Sequence, residues 1–446
     1  MSLAFIPLYI KYLGIEAYGL IGLFAVLQAW LGLVDMGITP TLSREMARFT
    51  GGSRTAESIR DLLRTIEVIA LSIAFLMAAG IALASNWIAT SWLKAEALPT
   101  ETVAHAFAIM GLVTALRFVE GLYRSTIVGL QKQVLFNVVS SVMATLRGLG
   151  AVGILIWVSP TIEAFFLWQG VVSVIALMTL GFITYQSIPP SNRSAQFSLV
   201  ELRGVWRFSG GMMGITFLAL LLTQVDKVLL AKLLPLKDYG YYMLAAGVAG
   251  GVYVVITPIA QAFYPRLCEL HARNDQAALI DTYHKGAQLV SVFGGSVAIV
   301  VILFAETFLR LWTQDPDLAQ RTATLLCLLM LGNLLNGLMC IPYQTQLAHG
   351  WTSLAVRTNI VAVAVIVPAI LWATPRFGAE GAAWVWVILN AGYCLISIHF
   401  MYRRILITEK WRWYLQDVIV PLIAGIAAVS ILALLWSAKP WKLFRE

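Results

Sequence analysis

The chain of 446 residues is 59% apolar and only 12% charged, with a formal net charge of +8. Water-soluble chains carry about 25% charged residues. The composition therefore excludes a water-facing globular domain, a nucleic-acid binder built on a solvated basic face, and a disordered tail.

The charged residues cluster between apolar runs of roughly 20 residues, the length that crosses a ~30 Å hydrocarbon core as a helix. Backbone polar groups in lipid must be satisfied internally, so such runs read as helices. The predicted fold class is an all-α polytopic membrane protein. In chain order, a segment at about 1–13 is too short to span. Fuller spans follow at about 18–36, 65–89, 104–128, 133–158, 162–186, 209–233, 240–264, 286–309, 322–346, 356–374, 380–401 and 415–437. The loops are short, and none could hold a soluble catalytic domain.

With the N-terminus in the cytoplasm, alternate loops are rich in Lys and Arg, as the positive-inside bias requires. They hold Arg44, Arg48, Arg54, Arg60 and Arg64, then Arg193, Arg203 and Arg207, then Arg266, Arg273 and Lys285, and finally Arg403, Arg404, Lys410 and Arg412. The tail with Lys439, Lys442 and Arg445 breaks the pattern if the last segment spans. Met1–Ile10 has neither a basic leader nor a small-residue cleavage site, so no cleavable signal peptide is expected. The four scattered cysteines and five dispersed histidines form no metal-ligand spacing, and neither metal nor cofactor is expected.

An internal duplication organises the chain. Tyr18-Gly19, after the first segment, recurs as Tyr239-Gly240, 221 residues on, and the basic segments opened by Arg44 and Arg266 follow at nearly the same offset. Six helices per half preserve the membrane orientation, which makes this a parallel repeat. The reading is two six-helix bundles around a central cavity, at 1–186 and 209–402, joined by a cytoplasmic linker at 187–208. A basic loop, an extra hydrophobic helix and a tail occupy 403–446. Counting back 221 residues from Gly210 puts the start of the first helix before residue 1, so roughly its first dozen residues are expected to be missing.

Charges inside the spans are functional candidates by default, because a charge at the bilayer centre costs ~2.5–3.5 kcal/mol on insertion scales. Arg117, Glu120 and Arg124 lie at spacings that put all three on one helical stripe. Arg147 sits mid-helix among small residues. Together they give the first bundle a net positive interior suited to a diphosphate, which guanidinium groups bind bidentately. Arg117 and Arg147 are the deepest, whereas Arg124 is within snorkelling reach of the cytoplasmic end. Glu120 fits either a structural ion pair or a carrier of a coupling proton, and the residues leave both open. Asp226 and Lys227 supply the second bundle with a pair of charges whose side chains, about 100° apart, need not meet. Arg44 and Arg48 fit orientation by positive charge or contact with an anionic headgroup at the entrance. Asn333 and Asn336 read as interhelical hydrogen-bonding residues.

The stretch I-P-L-Y-I-K-Y-L-G-I-E-A-Y-G-L, followed by L-V-D-M-G-I-T-P-T-L-S-R-E-M-A-R, resembles the N-terminal signature of the polysaccharide (O-antigen, Wzx-type) flippases. Gln346-Leu-Ala-His-Gly350 and Phe377-Gly-Ala-Glu-Gly-Ala-Ala383 resemble that family's late-helix motifs. The lipid II flippases and MATE-type exporters are relatives of the family and share its two-bundle plan. The resemblance implies a MATE-like fold in the bacterial inner membrane. It implies export of an undecaprenyl-diphosphate-linked oligosaccharide from the cytoplasmic to the periplasmic leaflet by alternating access, for surface polysaccharide. The partners it implies are membrane lipids, H+ or Na+ as coupling ion, a polysaccharide polymerase and a chain-length regulator, with no nucleic acid.

Two other readings compete. A MATE-like cation exporter wants an acidic, aromatic pocket, which the Arg-rich first bundle does not offer. A polymerase or glycosyltransferase needs paired carboxylates in a sizeable extramembrane region, and the chain has neither, so no enzyme is expected.

Overall fold

The computed structural model describes residues 5–34, 38–50, 55–189, 193, 195–198, 217, 220–351 and 353–438. The side chains at 31–34, 40, 41, 44, 47 and 432–438 lie outside that description. Ten helices among the described residues are long and apolar enough to cross a membrane. The protein is multi-pass, and its chain divides into two compact units, Met1–Gly240 and Tyr241–Glu446.

The first unit begins with α1 (Ile6–Val34), where the expected short segment and first span form one helix interrupted at Gly14. Gly14 has φ +82°, a conformation that glycine adopts without a Cβ clash. Next come α2 (Ile38–Thr50), α3 (Ala56–Trp87, continued by a π turn Ile88–Trp92), α4 (Thr100–Gly129), α5 (Gln133–Trp157) and α6 (Ile162–Ser187). Helix α7 covers 220–233, so the start of the expected 209–233 span lies outside the described residues. Several helices outrun their apolar stretches because a charged, amphipathic turn continues them. Helix α3 starts at Ala56 rather than near 65, with the Thr55 hydroxyl accepting from the Ser58 amide as N-cap. Thr161 caps α6 in the same way.

The core of this unit packs α2, α3 and α4 through Leu42, Met46, Leu62, Ile66, Phe118 and Leu122, all buried. The opposite face of α3 exposes Phe75, Leu76 and Leu83, an apolar surface that hydrocarbon solvates. Buried carboxylates pin the ends. Glu16 accepts from the amides of Glu96, Ala97 and Leu98 at 2.8, 2.9 and 3.4 Å, tying the α3–α4 loop to α1. Glu67 accepts from Tyr123 (3.0 Å) and Tyr185 (2.6 Å). Asp61 bonds the Arg193 guanidinium and the Gln196 amide, and the Ser198 amide donates to Thr65. The described part of the linker is thus docked on α3, and Arg193 is paired rather than free.

The repeated Tyr-Gly motifs meet. A Cβ on Gly19 would lie 2.9 Å from the Leu236 carbonyl oxygen, and one on Gly240 would lie 2.3 Å from that of Ile15. Leu236 precedes Gly240 by four residues, as Ile15 precedes Gly19, so the two contacts are reciprocal. Only glycine permits this approach, because a backbone oxygen cannot yield to a methyl group. The expected loop around Tyr239 is instead the first turn of α8 (Leu236–Ala249). Its start is held by the Leu236 amide donating to the Lys94 carbonyl at 2.9 Å.

The second unit continues with α9 (Val252–Ala272), α10 (Gln276–Leu289), a π turn Val290–Gly294, α11 (Gly295–Leu303), α12 (Ala305–Thr313), α13 (Pro316–Leu338), α14 (Cys340–Ala348) and α15 (Ser353–Gly392). Asp275 and Asp315 cap α10 and α13, the latter with Pro316 at the first position. Helix α15 joins the two expected spans at 356–374 and 380–401 across a kink at Gly378, φ +60°. A π turn Tyr393–Ser397 then leads into α16 (Ile398–Tyr402). Asn336 donates to Asn390 (2.8 Å) and Trp386 to Asn333 (2.9 Å), the interhelical bonds expected of these asparagines. The last span runs from α17 (Lys410–Arg412) through a π turn Trp413–Ile419 to α18 (Val420–Ala438). Lys439, Lys442 and Arg445 lie outside the described residues.

Candidate functional site

Within the first unit, three of the charged residues picked from the sequence come together across α4, α5 and α6. Arg147 on α5 donates to Glu120 on α4 at 2.7 Å. The pair crosses helices because Arg147 projects from the neighbouring one, although Arg117 lies on the same helical stripe as Glu120. Arg117 turns instead to Gln169 of α6, donating to its Oε1 at 2.9 Å, and its guanidinium lies 5.0 Å from the Phe24 ring centroid. The Gln169 amide in turn donates to the Arg147 carbonyl at 3.3 Å. This buried glutamine holds the Arg117 guanidinium and ties α6 to the α5 backbone at Arg147. The apolar-run reading passed over it, although a lone Gln in Phe-Phe-Leu-Trp-Gln-Gly was the available signal.

The charge balance of this cluster decides its chemistry. Two guanidinium groups face one carboxylate, leaving one net positive charge. A guanidinium carries five N–H donors. Among the described residues Arg117 spends one of them on a neutral amide, and the Nε of both arginines has no hydrogen-bond partner. Gln28 donates to Thr114 (3.0 Å) one turn before Arg117, adding uncharged polar groups beside it.

The remaining candidates lie elsewhere. Arg124 is exposed, with its guanidinium 5.2 Å from the Phe136 ring centroid. Lys227 and Asp226, whose pairing the sequence left open, pair at 3.1 Å as the flexible lysine bends back, and Lys227 also donates to the Thr223 carbonyl at 2.7 Å. Both fall in the first compact unit, because the chain through Gly240 packs against α1 and the Lys94 loop. Arg48 pairs with Glu45 one turn earlier at 3.2 Å. The side chain of Arg44 lies outside the described residues.

The second unit holds a cluster that sequence reading missed. His284 of α10 is buried, with Nδ1 bonded to Asp417 and Nε2 3.0 Å from Glu409. Gln288 donates to the other oxygen of Asp417 at 2.9 Å. Burial pushes the Glu409 carboxyl up, but hydrogen bonds from His284 and Thr408 and the charges of His284 and Arg412 outweigh it and hold it below the usual range. An apolar groove of about 950 Å³ runs between the two arms of α15, with Arg357 and Glu380 among its few polar lining residues. None of the candidates from the sequence lines it.

The profile of the "Polysaccharide biosynthesis protein" family matches residues 1–271, more than half of the chain. The chain belongs to this family. The MatE family profile matches residues 212–372. A Shigella flexneri protein provisionally named an O-antigen transporter is 20% identical over 402 residues, covering 88% of this chain and 91% of its own. Two solved structures are similar in fold, each with a TM-score of 0.68 and covering 98% of this chain and 95% of theirs. They are a lipid II flippase MurJ in an inward closed conformation (12% identical) and an inward-facing multidrug resistance MATE family transporter of the MOP superfamily (14% identical). As a member of the polysaccharide biosynthesis family, the chain has the MATE-like all-helical fold expected from its sequence.

Proposed function

We propose that this protein is a flippase carrying an undecaprenyl-diphosphate-linked oligosaccharide from the cytoplasmic to the periplasmic leaflet of a bacterial inner membrane, for O-antigen or a related surface polysaccharide. The observation that carries the reading is the excess positive charge of the Arg117–Gln169–Arg147–Glu120 cluster inside membrane-spanning helices. A diphosphate headgroup must leave water to cross a bilayer, and a guanidinium with unspent donors replaces part of its hydration with charge-assisted hydrogen bonds. Family membership and the likeness to the Shigella relative support the cargo class. The same excess of positive charge disfavours an organic cation as cargo.

In this reading Arg117 is the primary anion ligand. Arg147 is held by Glu120 and supplies field and remaining donors, and Gln169 holds the Arg117 guanidinium in place. Arg124, Arg48 and Arg44 guide the headgroup from the cytoplasmic surface, and Lys227 receives it further along. Glu120 and Asp226 balance charge or take up a coupling H+ or Na+. Alternating access follows from the internal repeat, and a polymerase and a chain-length regulator would act on the delivered product.

Substituting Arg117→Ala leaves the Arg147–Glu120 pair in place, so its effect reads anion binding rather than folding. At matched membrane levels, surface polysaccharide in a flippase-deficient host should fall at least about tenfold, the equivalent of 1.4 kcal/mol. Arg117→Lys, which keeps the charge and loses the fork, should retain part of it. Wild-type polymer with Arg117→Ala at matched levels overturns the assignment.

A further inference from the structure

The His284 cluster joins three stretches of chain: α10, the loop ending at Glu409, and the π turn Trp413–Ile419. The π turn is the element that aims Asp417, wholly buried, at the imidazole. Such turns insert an extra residue into a helix and cluster at functional positions. The side chain of His284 is 3% exposed and that of Glu409 16%. An ionised carboxylate only accepts hydrogen bonds, so with both carboxyls ionised an imidazole that faces one on each nitrogen donates from both, as an imidazolium.

Among the described residues Arg412 pairs with Glu409, and Asp417 has no cationic partner besides His284. On α10, Tyr283 packs edge-on against the ring at 5.3 Å and bonds the hydroxyl of Tyr402 from α16, while Asp281 and Lys285 pair with each other on an exposed face. The loop contributes Arg412, 3.5 Å from Glu409, and the π turn Tyr414, whose hydroxyl donates to the Cys394 carbonyl. Lys410 is bonded to His399. On α9, Arg266 and Arg273 pair with Glu269, and His271 stacks on His349 at 4.0 Å. Helix α14 carries no charged residue.

The geometry points to a proton-binding site formed by His284, Asp417 and Glu409, whose occupancy holds the last span, Lys410–Ile431, against α10. With the proton bound, the imidazolium and Arg412 balance the two carboxylates. When the proton leaves through Glu409, Asp417 keeps only neutral donors, the remaining ring N–H and the Gln288 amide, and a buried carboxylate without a charged partner is strongly disfavoured. The π turn then separates from α10. Glu409, the one member of the trio at the surface, is the route by which the proton exchanges with water. The site stands whatever cargo the protein carries, and its test reads the ring and the backbone rather than transport.

The test uses the full chain in lipid nanodiscs, with 15N-labelled histidine and hydrogen exchange of residues 410–423. At about pH 7 one histidine, absent from the His284→Gln spectrum, should show both ring nitrogens protonated. Protection factors of 410–423 should drop at least about tenfold in His284→Gln, about 1.4 kcal/mol of opening free energy. In Glu409→Gln, which removes one carboxylate but keeps Asp417, protection should survive at about pH 6 and vanish at about pH 8. A singly protonated His284 ring at about pH 6 overturns the proposal. So does wild-type protection in His284→Gln, or a pH-independent profile in Glu409→Gln.

Discussion

The two buried charge clusters are built from similar parts but balanced oppositely. In the first unit, Arg117 and Arg147 outnumber Glu120, and Arg117 is held by a neutral amide and an aromatic face. In the second, every ring nitrogen of His284 and both oxygens of Asp417 are engaged, and the cations match the carboxylates. A cluster with spare donors and surplus charge is costly to maintain in a membrane unless something anionic visits it. A closed, neutral cluster holds helices together. On the function proposed above, the difference separates residues that serve a ligand from residues that serve the fold.

The largest expected effect breaks the closed cluster. Asp417→Ala leaves His284 and Gln288 without their shared acceptor in a site that excludes water, so it should destabilise by about 3–5 kcal/mol. Thermal unfolding of detergent-purified protein measures this. A midpoint unchanged from wild type would show that the cluster is not what docks the last span.

Removing single members of the open cluster should divide stability from ligand service. Arg147→Ala strands Glu120, and because both side chains are about one-fifth exposed the expected loss is about 2–3 kcal/mol, below that of a fully buried pair. The double variant Glu120→Gln/Arg147→Gln should recover most of it. Arg117→Ala should cost stability least of the three while costing transport most. If Arg117→Ala and Arg147→Ala unfold alike, the two arginines share one structural role and the contrast between the clusters disappears.

Gln169→Leu is a gentler probe of the same contrast. It keeps the size of the side chain but removes the acceptor of Arg117 and the donor to the Arg147 carbonyl. About 1–2 kcal/mol is expected from unsatisfied polar groups. Transport should fall although no charge changes, because the Arg117 guanidinium is no longer held in place. Wild-type transport in this variant would leave Gln169 as packing alone.

How much of this was legible in the chain follows from how far each signal reaches. Apolar runs announce helices, because lipid imposes their length, but their ends were misjudged wherever a charged turn carried the helix on, as at Ala56 and Leu236. Arg117, Glu120 and Arg147 stood out as charges in apolar surroundings. Their partnership did not, since a stripe on one helix says nothing about which neighbour faces it. Gln169 was hidden by its modest polarity. His284 and Asp417 lie 133 residues apart near the ends of their spans, where a charge looks like an interfacial residue, and only the π turn brings them together. The repeat was visible in a Tyr-Gly pair, but its physical use, two glycines letting backbones cross reciprocally, needed the fold.

The smallest expected effect concerns acid. Glu409 titrates below its ordinary value of 4.5 in the folded protein, so the unfolded chain binds its proton more readily. Its contribution is therefore complete above about pH 4.5 and is lost as pH falls through the lower, folded value. Glu409 is partly exposed, so the contribution should be no more than about 1 kcal/mol. The contrast to measure is the difference in unfolding midpoint between wild type and Glu409→Gln, which cancels the acid response of the other carboxylates. Read at about pH 6 and below, where the last span stays docked in both proteins, that difference should shrink towards zero below about pH 4. A difference that persists unchanged in acid would mean Glu409 contributes by packing, and the surface-facing side of the His284 cluster would no longer be electrostatic.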